Sequence, residues 1–290
     1  MAGVAWVTLR ALVGPDLAAA IAAGGGLGLF FAPRVPKRML LGAYGARPLG
    51  RREFPLGHAL LAELARRAGL PRAPALYYVP SRVPNAFALG TPGDSAICVT
   101  DGMLRLLNRH EFAGVLAHEI SHVAHHDLRI MALADLLARI VSLAAWAGQI
   151  MLLINIPLLL VGATVIPWHL PLLLILSPAF VALLQLALSR TREYEADRGA
   201  VALTGDAEGL VAALRKLERR VGSLWEEIVL PGRRIPEPSL LRTHPPTETR
   251  VARMRALAPP TPRPALPEGD VTWRPAAAPL PRFGRFGVWR

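Results

Sequence analysis

The sequence predicts a mainly α protein in which an α+β core with a small β-hairpin or sheet is combined with transmembrane helices. Three observations predict this class. The 50 consecutive residues from Ile140 to Ser189 contain no Asp, Glu, Lys or Arg. Residues 108–123 combine an N-terminal capping pattern with the apolar spacing of a buried helix. Two short apolar runs also flank a turn signal at residues 90–94, as in a β-hairpin.

The first element expected along the chain is a membrane helix. The run from Leu17 to Pro33 is apolar and rich in glycine, and we assign residues 1–33 to an N-terminal membrane anchor. A signal peptide is the weaker alternative, because Arg10 and Asp16 interrupt the apolar region and a charged start is missing.

Residues 34–135 form the first part of a predicted globular domain. An amphipathic helix is expected around Leu56–Ala68, followed by a hairpin of residues 85–89 and 95–100 around the turn Gly90–Asp94. Cys98 lies in the second apolar run, which predicts a buried thiol. A single cysteine excludes an intrachain disulfide and suits a reducing compartment.

The residues 118–122 read HEISH, a pattern that suits a metal site. Two histidines spaced i, i+4 project from the same face of a helix, so His118 and His122 can bind one metal ion. Glu119 can then act on a metal-activated water. A helix that carries two histidines by chance is the alternative, but a buried group of this kind without a metal would be costly unless fully hydrogen-bonded. His125 and His126 follow too closely in sequence to supply the third ligand, and we expect them to be solvated.

A third ligand must therefore come from another segment. Glu193 and Asp197 are spaced i, i+4 and share one face of a predicted helix. One of these carboxylates can bind the metal while the other accepts the free ring N–H of a ligand histidine. A charged, solvated helix explains the same residues, and the spacing alone leaves this alternative open.

The charge-free stretch lies within residues 136–189, which we assign to a transmembrane helical hairpin. Its length suits two spans of about 20 residues each, with the turn at Pro167–Pro171 and with Pro157 and Pro178 inside the spans. A buried hairpin of a soluble core is the alternative. Arginines flank the first apolar run and the hairpin, and the positive-inside rule then places the candidate site on the cytoplasmic side.

Residues 190–257 form the predicted second part of the domain, with a helix around Ala207–Val221, and residues 258–290 form a Pro- and Arg-rich tail that we expect to be disordered. The formal net charge of +12 is consistent with attraction to anionic lipid headgroups. Nucleic acid is not an expected partner, because no recognition motif accompanies the arginines.

Four segments in this order resemble the HtpX-type membrane zinc peptidases, which are relatives of the CAAX prenyl endopeptidases and of mitochondrial inner-membrane stress proteases. The resemblance covers residues 50 to 257 and is weak or absent elsewhere. It implies a zincin-like catalytic core and an integral membrane zinc endopeptidase. The segments are Asn85-Ala-Phe-Ala88, the HEISH helix, Ser189-Arg-Thr-Arg-Glu-Tyr-Glu-Ala-Asp197 and His244-Pro-Pro-Thr-Glu-Thr-Arg250.

The resemblance implies a role for particular residues. One zinc ion per chain would be bound by His118, His122 and Glu193, with Asp197 orienting a ligand histidine. Glu119 would act as general base, and His244 would be a second catalytic residue that stabilises the oxyanion or contacts Asp197. The strand with Asn85, Ala86 and Phe87 would bind substrate by strand addition.

The same resemblance implies polypeptide substrates, with misfolded membrane proteins cut in quality control, and a multi-pass location in the inner (cytoplasmic) membrane in contact with the lipid bilayer. Two other functions stay open on the sequence. A catalytically silent zinc-bound scaffold would not need Glu119. A transporter would need charged residues within the spans, and the stretch 140–189 has none.

Overall fold

The computed structural model describes residues 37–162, 167–228, 246–257 and 265–269. The predicted anchor at residues 1–33 and the candidate residue His244 lie outside the described residues. Residues 129–188 belong to one compact unit, and the described residues of 35–128 and 189–290 belong to a second. The second unit, called the globular unit below, contains every described candidate site residue.

The described residues are mainly helical, as the sequence predicts, and include a small mixed sheet. The helices are α1 (Lys37–Ala43), α2 (Pro55–Arg67), α3 (Asp101–Leu106), α4 (Arg109–Ala124), α5 (Asp127–Leu160), α6 (His169–Thr204), α7 (Ala207–Ile228) and α8 (Thr247–Arg255), and the strands are β1 (Arg47–Pro48), β2 (Ala75–Val79), β3 (Ala86–Thr91) and β4 (Asp94–Thr100).

The sheet contains the predicted hairpin and two strands that the sequence analysis did not predict. Its order is β1-β2-β4-β3. The β3–β4 and β1–β2 pairs are antiparallel, whereas β2 and β4 are parallel. In the hairpin turn, Gly90 has φ +93°, and a Cβ there would lie 2.1 Å from the Asp94 carbonyl oxygen, so glycine is required. The strand β3 is at the edge of this described sheet.

The two faces of the sheet pack against different groups of residues. Apolar side chains of α2 and α4, including Leu60, Leu116 and Ile120, join Ile97 in a fully buried core. Cys98 points to the smaller cluster on the opposite face. The predicted burial of Cys98 is confirmed, and burial, followed by the charge of Glu119, raises the pKa of its thiol to about 12.

The helix α4 starts at the predicted capping box. The Asn108 side chain accepts a hydrogen bond from the Glu111 N–H at 3.0 Å, and the Asn108 N–H donates to the Glu111 carboxylate at 2.8 Å. Lys216 of α7 contacts the same carboxylate at 2.8 Å. This ion pair and the capping box fix the N-terminal end of the helix that carries the HEISH sequence.

The helices α5 and α6 are both long and apolar enough to cross a membrane, with mean hydropathies of 1.9 and 2.3 in their most apolar windows. Only 17% and 6% of these windows are buried, whereas a core helix of a soluble protein is mostly buried. Pro157 and Pro178 lie inside the helices, as predicted. The low burial favours the predicted membrane hairpin over a hairpin within a soluble core.

Five residues of the predicted tail, 265–269, are described, and two of them contact the rest of the globular unit. The Arg109 side chain donates to the carbonyl oxygens of Leu266 and Pro267 at 2.7 and 2.9 Å. Leu266 also packs against the main core cluster. The rest of the tail lies outside the described residues.

Candidate metal centre

Three side chains from two helices meet in the globular unit. His118 and His122 of α4 and Glu193 of α6 each offer a ligand atom, and these atoms lie within 4.8 Å of one another. The Nε2 atoms of the two histidines are 3.1 Å apart. The Glu193 carboxylate places one oxygen 3.5 Å from the first Nε2 and its other oxygen 3.6 Å from the second. His118 and Glu193 are buried and His122 is half-buried.

This spacing fits a zinc ion. In a tetrahedral site with bonds of about 2.0–2.1 Å, the ligand atoms lie roughly 3.3–3.4 Å apart, close to the separations found between the three side chains. The charges around the three side chains also favour a bound cation. Burial disfavours the protonated His118 ring, yet its interactions with the Asp197 and Glu193 carboxylates, which accept from the ring, outweigh burial and raise its pKa to about 10. The carboxylates therefore stabilise positive charge at this position, which a divalent cation supplies.

In each of the two histidines, the Nδ1 atom lies close to a carboxylate. The Nδ1 atom of His118 lies 3.1 Å from Asp197 Oδ1, and this carboxylate accepts two hydrogen bonds from Arg250 of α8, at 2.6 and 2.8 Å. Arg250 also approaches Glu193 at 3.4 Å. The order Arg250–Asp197–His118 keeps Nδ1 as the proton-bearing nitrogen and leaves Nε2 for a metal.

The sequence did not predict the carboxylate that contacts His122. The Nδ1 atom of His122 lies 2.8 Å from Asp127 Oδ2, and Arg192 donates to Asp127 Oδ1 at 3.1 Å. Asp127 follows His126, which lies between the end of α4 and the start of α5 and has a φ of +59°. This break lets a carboxylate five residues after His122 turn back to it. An acidic residue shortly after the HEISH sequence was the available signal.

Glu119 lies next to the candidate ligands and is buried. Burial raises the pKa of its carboxyl, while the charges of His118 and His122 lower it. The carboxylate also accepts a hydrogen bond from the backbone N–H of Ala88 in β3. A raised pKa brings a carboxylate closer to the range in which it exchanges protons near neutral pH.

A glycine allows α6 to approach α4 closely. A Cβ on Gly199 would lie 2.1 Å from the Ser121 Oγ and 2.9 Å from its Cβ. Both residues are within one or two helical turns of the candidate ligands on their helices. A larger residue at position 199 would therefore push Glu193 and Asp197 away from the two histidines.

The predicted substrate strand lies beside this group. The Asn85 carbonyl accepts a hydrogen bond from Thr100 N–H at 3.0 Å, so the backbone polar groups of Ala86 and Ala88, one and three residues further on, point away from β4. The Phe87 side chain packs against Tyr44 with ring centroids 4.8 Å apart. His125 and His126 are exposed, as the sequence predicts.

The fold and the arrangement of two histidines, a glutamate and a neighbouring glutamate define a metallopeptidase-type centre in a chain that also contains two apolar helices. The family model "Peptidase family M48", a metalloprotease family, matches residues 53–258. The chain belongs to this family.

Curated relatives agree with the family. The chain is 39% identical over 241 residues to "Protease HtpX homolog" of Pyrococcus abyssi, which covers 76% of this chain and 79% of that protein. It is 33% identical over 276 residues to the protein of the same name from Methylibium petroleiphilum, covering 88% and 93%. These relatives confirm the predicted resemblance.

A solved structure shows a similar fold. The crystal structure of S. mikatae Ste24p matches with a TM-score of 0.51 and 19% identity, over 86% of this chain. The match spans 60% of the Ste24p chain. At this identity the likeness concerns the fold alone.

Proposed function

We propose that the chain is an integral membrane zinc endopeptidase that hydrolyses peptide bonds in extended polypeptide segments. The observation that carries this proposal is the convergence of His118, His122 and Glu193 within 4.8 Å, beside Glu119 and the edge strand β3. A site of three protein ligands leaves one coordination position open, which is typical of catalytic rather than structural zinc.

The three side chains would hold one zinc ion per chain. When bound, zinc would supply Lewis-acid activation of a water molecule and of the scissile carbonyl. Asp197 and Asp127 hold the two imidazoles with Nδ1 protonated, so that both Nε2 lone pairs face the same point.

Glu119 is the residue that would move the proton. Its carboxylate takes a proton from the attacking water and passes it to the leaving amine, as a general base and then a general acid. The hydrogen bond from Ala88 holds the carboxylate at the β3 edge. The base therefore lies where an extended substrate would pass. His244, which precedes α8 in sequence, is proposed to stabilise the oxyanion.

Substrate would bind by addition to β3. The outward backbone groups of Ala86 and the outward carbonyl of Ala88 are available for pairing with an extended chain, since the Ala88 N–H already donates to Glu119. Asn85, Ala86 and Phe87 form the proposed substrate strand. Main-chain pairing depends little on the substrate side chains. This suits an enzyme that acts on many misfolded membrane proteins in quality control.

The proposed location is the inner membrane, with two or more spans and the centre on the cytoplasmic side. Support comes from the two apolar helices and from arginines that flank them in sequence, among them Arg129 and Arg190. We expect the chain to stay in the membrane pellet after an alkaline wash and to be released by a mild detergent. Release by the alkaline wash alone would contradict insertion of α5 and α6.

The peptidase activity is tested with chain purified in detergent and with casein as an unstructured substrate. We expect cleavage by the zinc-loaded chain, loss of cleavage after a chelator, and recovery when zinc is restored. Full cleavage in excess chelator would contradict the metal-dependent reaction. A zinc-bound chain that cleaves no polypeptide would favour the scaffold alternative.

A further inference from the structure

The contact between Asp127 and Arg192 lies beside the candidate metal centre, and the proposed reaction gives Arg192 no role. Asp127 is the first residue of α5, and only 4% of its side chain is exposed. Arg192 precedes Glu193 on α6. The contact therefore joins the start of α5 to α6, next to the candidate zinc ligand Glu193. Asp127 also contacts His122 and so connects this pair to α4, the helix with the two candidate histidine ligands.

The two histidines differ in how firmly the fold holds them. The side chain of His118 is 4% exposed and that of His122 is 16% exposed. Because His122 is less enclosed by neighbouring atoms, its ring orientation depends more on its hydrogen bond from Nδ1 to Asp127 at 2.8 Å. Losing that acceptor would free both the ring orientation and the choice of protonated nitrogen.

Asp127 in turn needs a partner. A buried carboxylate is stable in its charged form only when opposite charge and hydrogen bonds compensate for lost hydration. Arg192 donates to Oδ1 at 3.1 Å, while Oδ2 faces His122. The arrangement Arg192–Asp127–His122 thus repeats the arrangement Arg250–Asp197–His118 on the other ligand.

We propose that Asp127 and Arg192 are a positioning pair that holds His122 for zinc, with Arg192 acting through Asp127. The pair does not touch the reacting atoms. This inference rests on the proposed zinc centre, and it assigns to Arg192 a function in metal affinity that is separate from the neighbouring ligand Glu193.

The test is a double-mutant cycle with zinc affinity as its readout. Full-length chain in detergent is titrated with zinc against a chromophoric chelator. We expect Asp127→Asn to weaken zinc binding by about 10–100-fold, the usual effect of losing such a partner, and Arg192→Gln to weaken it by about 10-fold. The double variant should bind zinc as weakly as Asp127→Asn alone, since Arg192 acts through that carboxylate.

The control is Arg190→Gln, an exposed arginine two positions earlier on α6, which should bind zinc as the wild type does. Arg192→Lys keeps the charge and should recover part of the affinity. Equal affinity of wild type and Arg192→Gln, or additive losses in the double variant, would overturn the proposal. Thermal unfolding in excess chelator should be similar for Arg192→Gln and Arg190→Gln, and a large loss of stability in Arg192→Gln alone would assign it a structural role instead.

The cycle also separates this inference from the proposed activity. If zinc binding follows the expected cycle but the wild type cleaves no polypeptide, the positioning pair stands and the peptidase proposal fails. If the wild type binds zinc and cleaves casein but all variants bind zinc equally, the peptidase proposal stands and the pair is overturned. A wild type that binds no zinc overturns both.

Discussion

Glu119→Gln should reduce casein cleavage by about 10²–10⁴-fold while leaving about one zinc ion per chain. The amide has nearly the same shape as the carboxylate but cannot take a proton from the attacking water. Glu119 is buried beside the two histidines and holds no ligand position in the three-residue group. The loss should therefore appear in the rate of cleavage and not in metal content, when both are measured on the same samples.

Glu195→Gln is the matched control for this substitution. Glu195 lies on α6, two residues from Glu193, and forms a surface ion pair with Arg198 at 3.2 Å. Such pairs contribute little, so its cleavage rate and zinc content should equal those of the wild type. Glu119→Gln with wild-type cleavage would remove Glu119 from the mechanism. A loss of zinc together with cleavage would give it a role in metal binding instead.

Arg250→Met should strongly destabilise the globular unit. The guanidinium is almost fully buried and compensates the buried Asp197 while lying 3.4 Å from Glu193. Removing one partner of a buried ion pair typically costs about 3–5 kcal/mol, because the remaining charge is left uncompensated. A chain of this size should then unfold at a temperature lower by on the order of 10 °C. Circular dichroism in detergent measures the shift, with chelator present so that bound zinc does not contribute.

Arg255→Met controls for the loss of an arginine from the same helix. Arg255 pairs with Glu208 at 2.7 Å, but both side chains are about half exposed or more, and an exposed pair is worth about 0–1 kcal/mol. Arg255→Met should therefore unfold close to the wild-type temperature. If the two variants unfolded at the same temperature, the buried pair would not stabilise the fold as the geometry indicates.

The predictions that the structure confirms rest on local sequence. The capping box at Asn108 and Glu111, the helical spacing after it and the turn signal at Gly90 involve residues close together in the chain, so short-range rules apply to them. The absence of charge from Ile140 to Ser189 likewise marks the two apolar helices directly. These features were sufficient for the fold class.

The features that were missed depend on contacts between distant segments. The pairing of β2 with β4 joins the second strand of the hairpin to a strand that precedes the hairpin, and no local pattern specifies a parallel neighbour. Arg250 reaches Asp197 across 53 positions, and Arg192 reaches Asp127 across 65. Each of these arginines is one of many in a basic chain, so only the fold distinguishes it from a solvated residue.

Bound zinc per chain, measured by elemental analysis for wild type and Glu193→Ala, tests the central claim most directly. The claim is that one zinc ion is held jointly by the HEISH helix and by Glu193 of α6. It predicts about one zinc per wild-type chain and a much lower content in Glu193→Ala at a free zinc concentration that just saturates the wild type. Equal zinc content in both proteins would contradict the claim, because the metal would then be held without the third ligand.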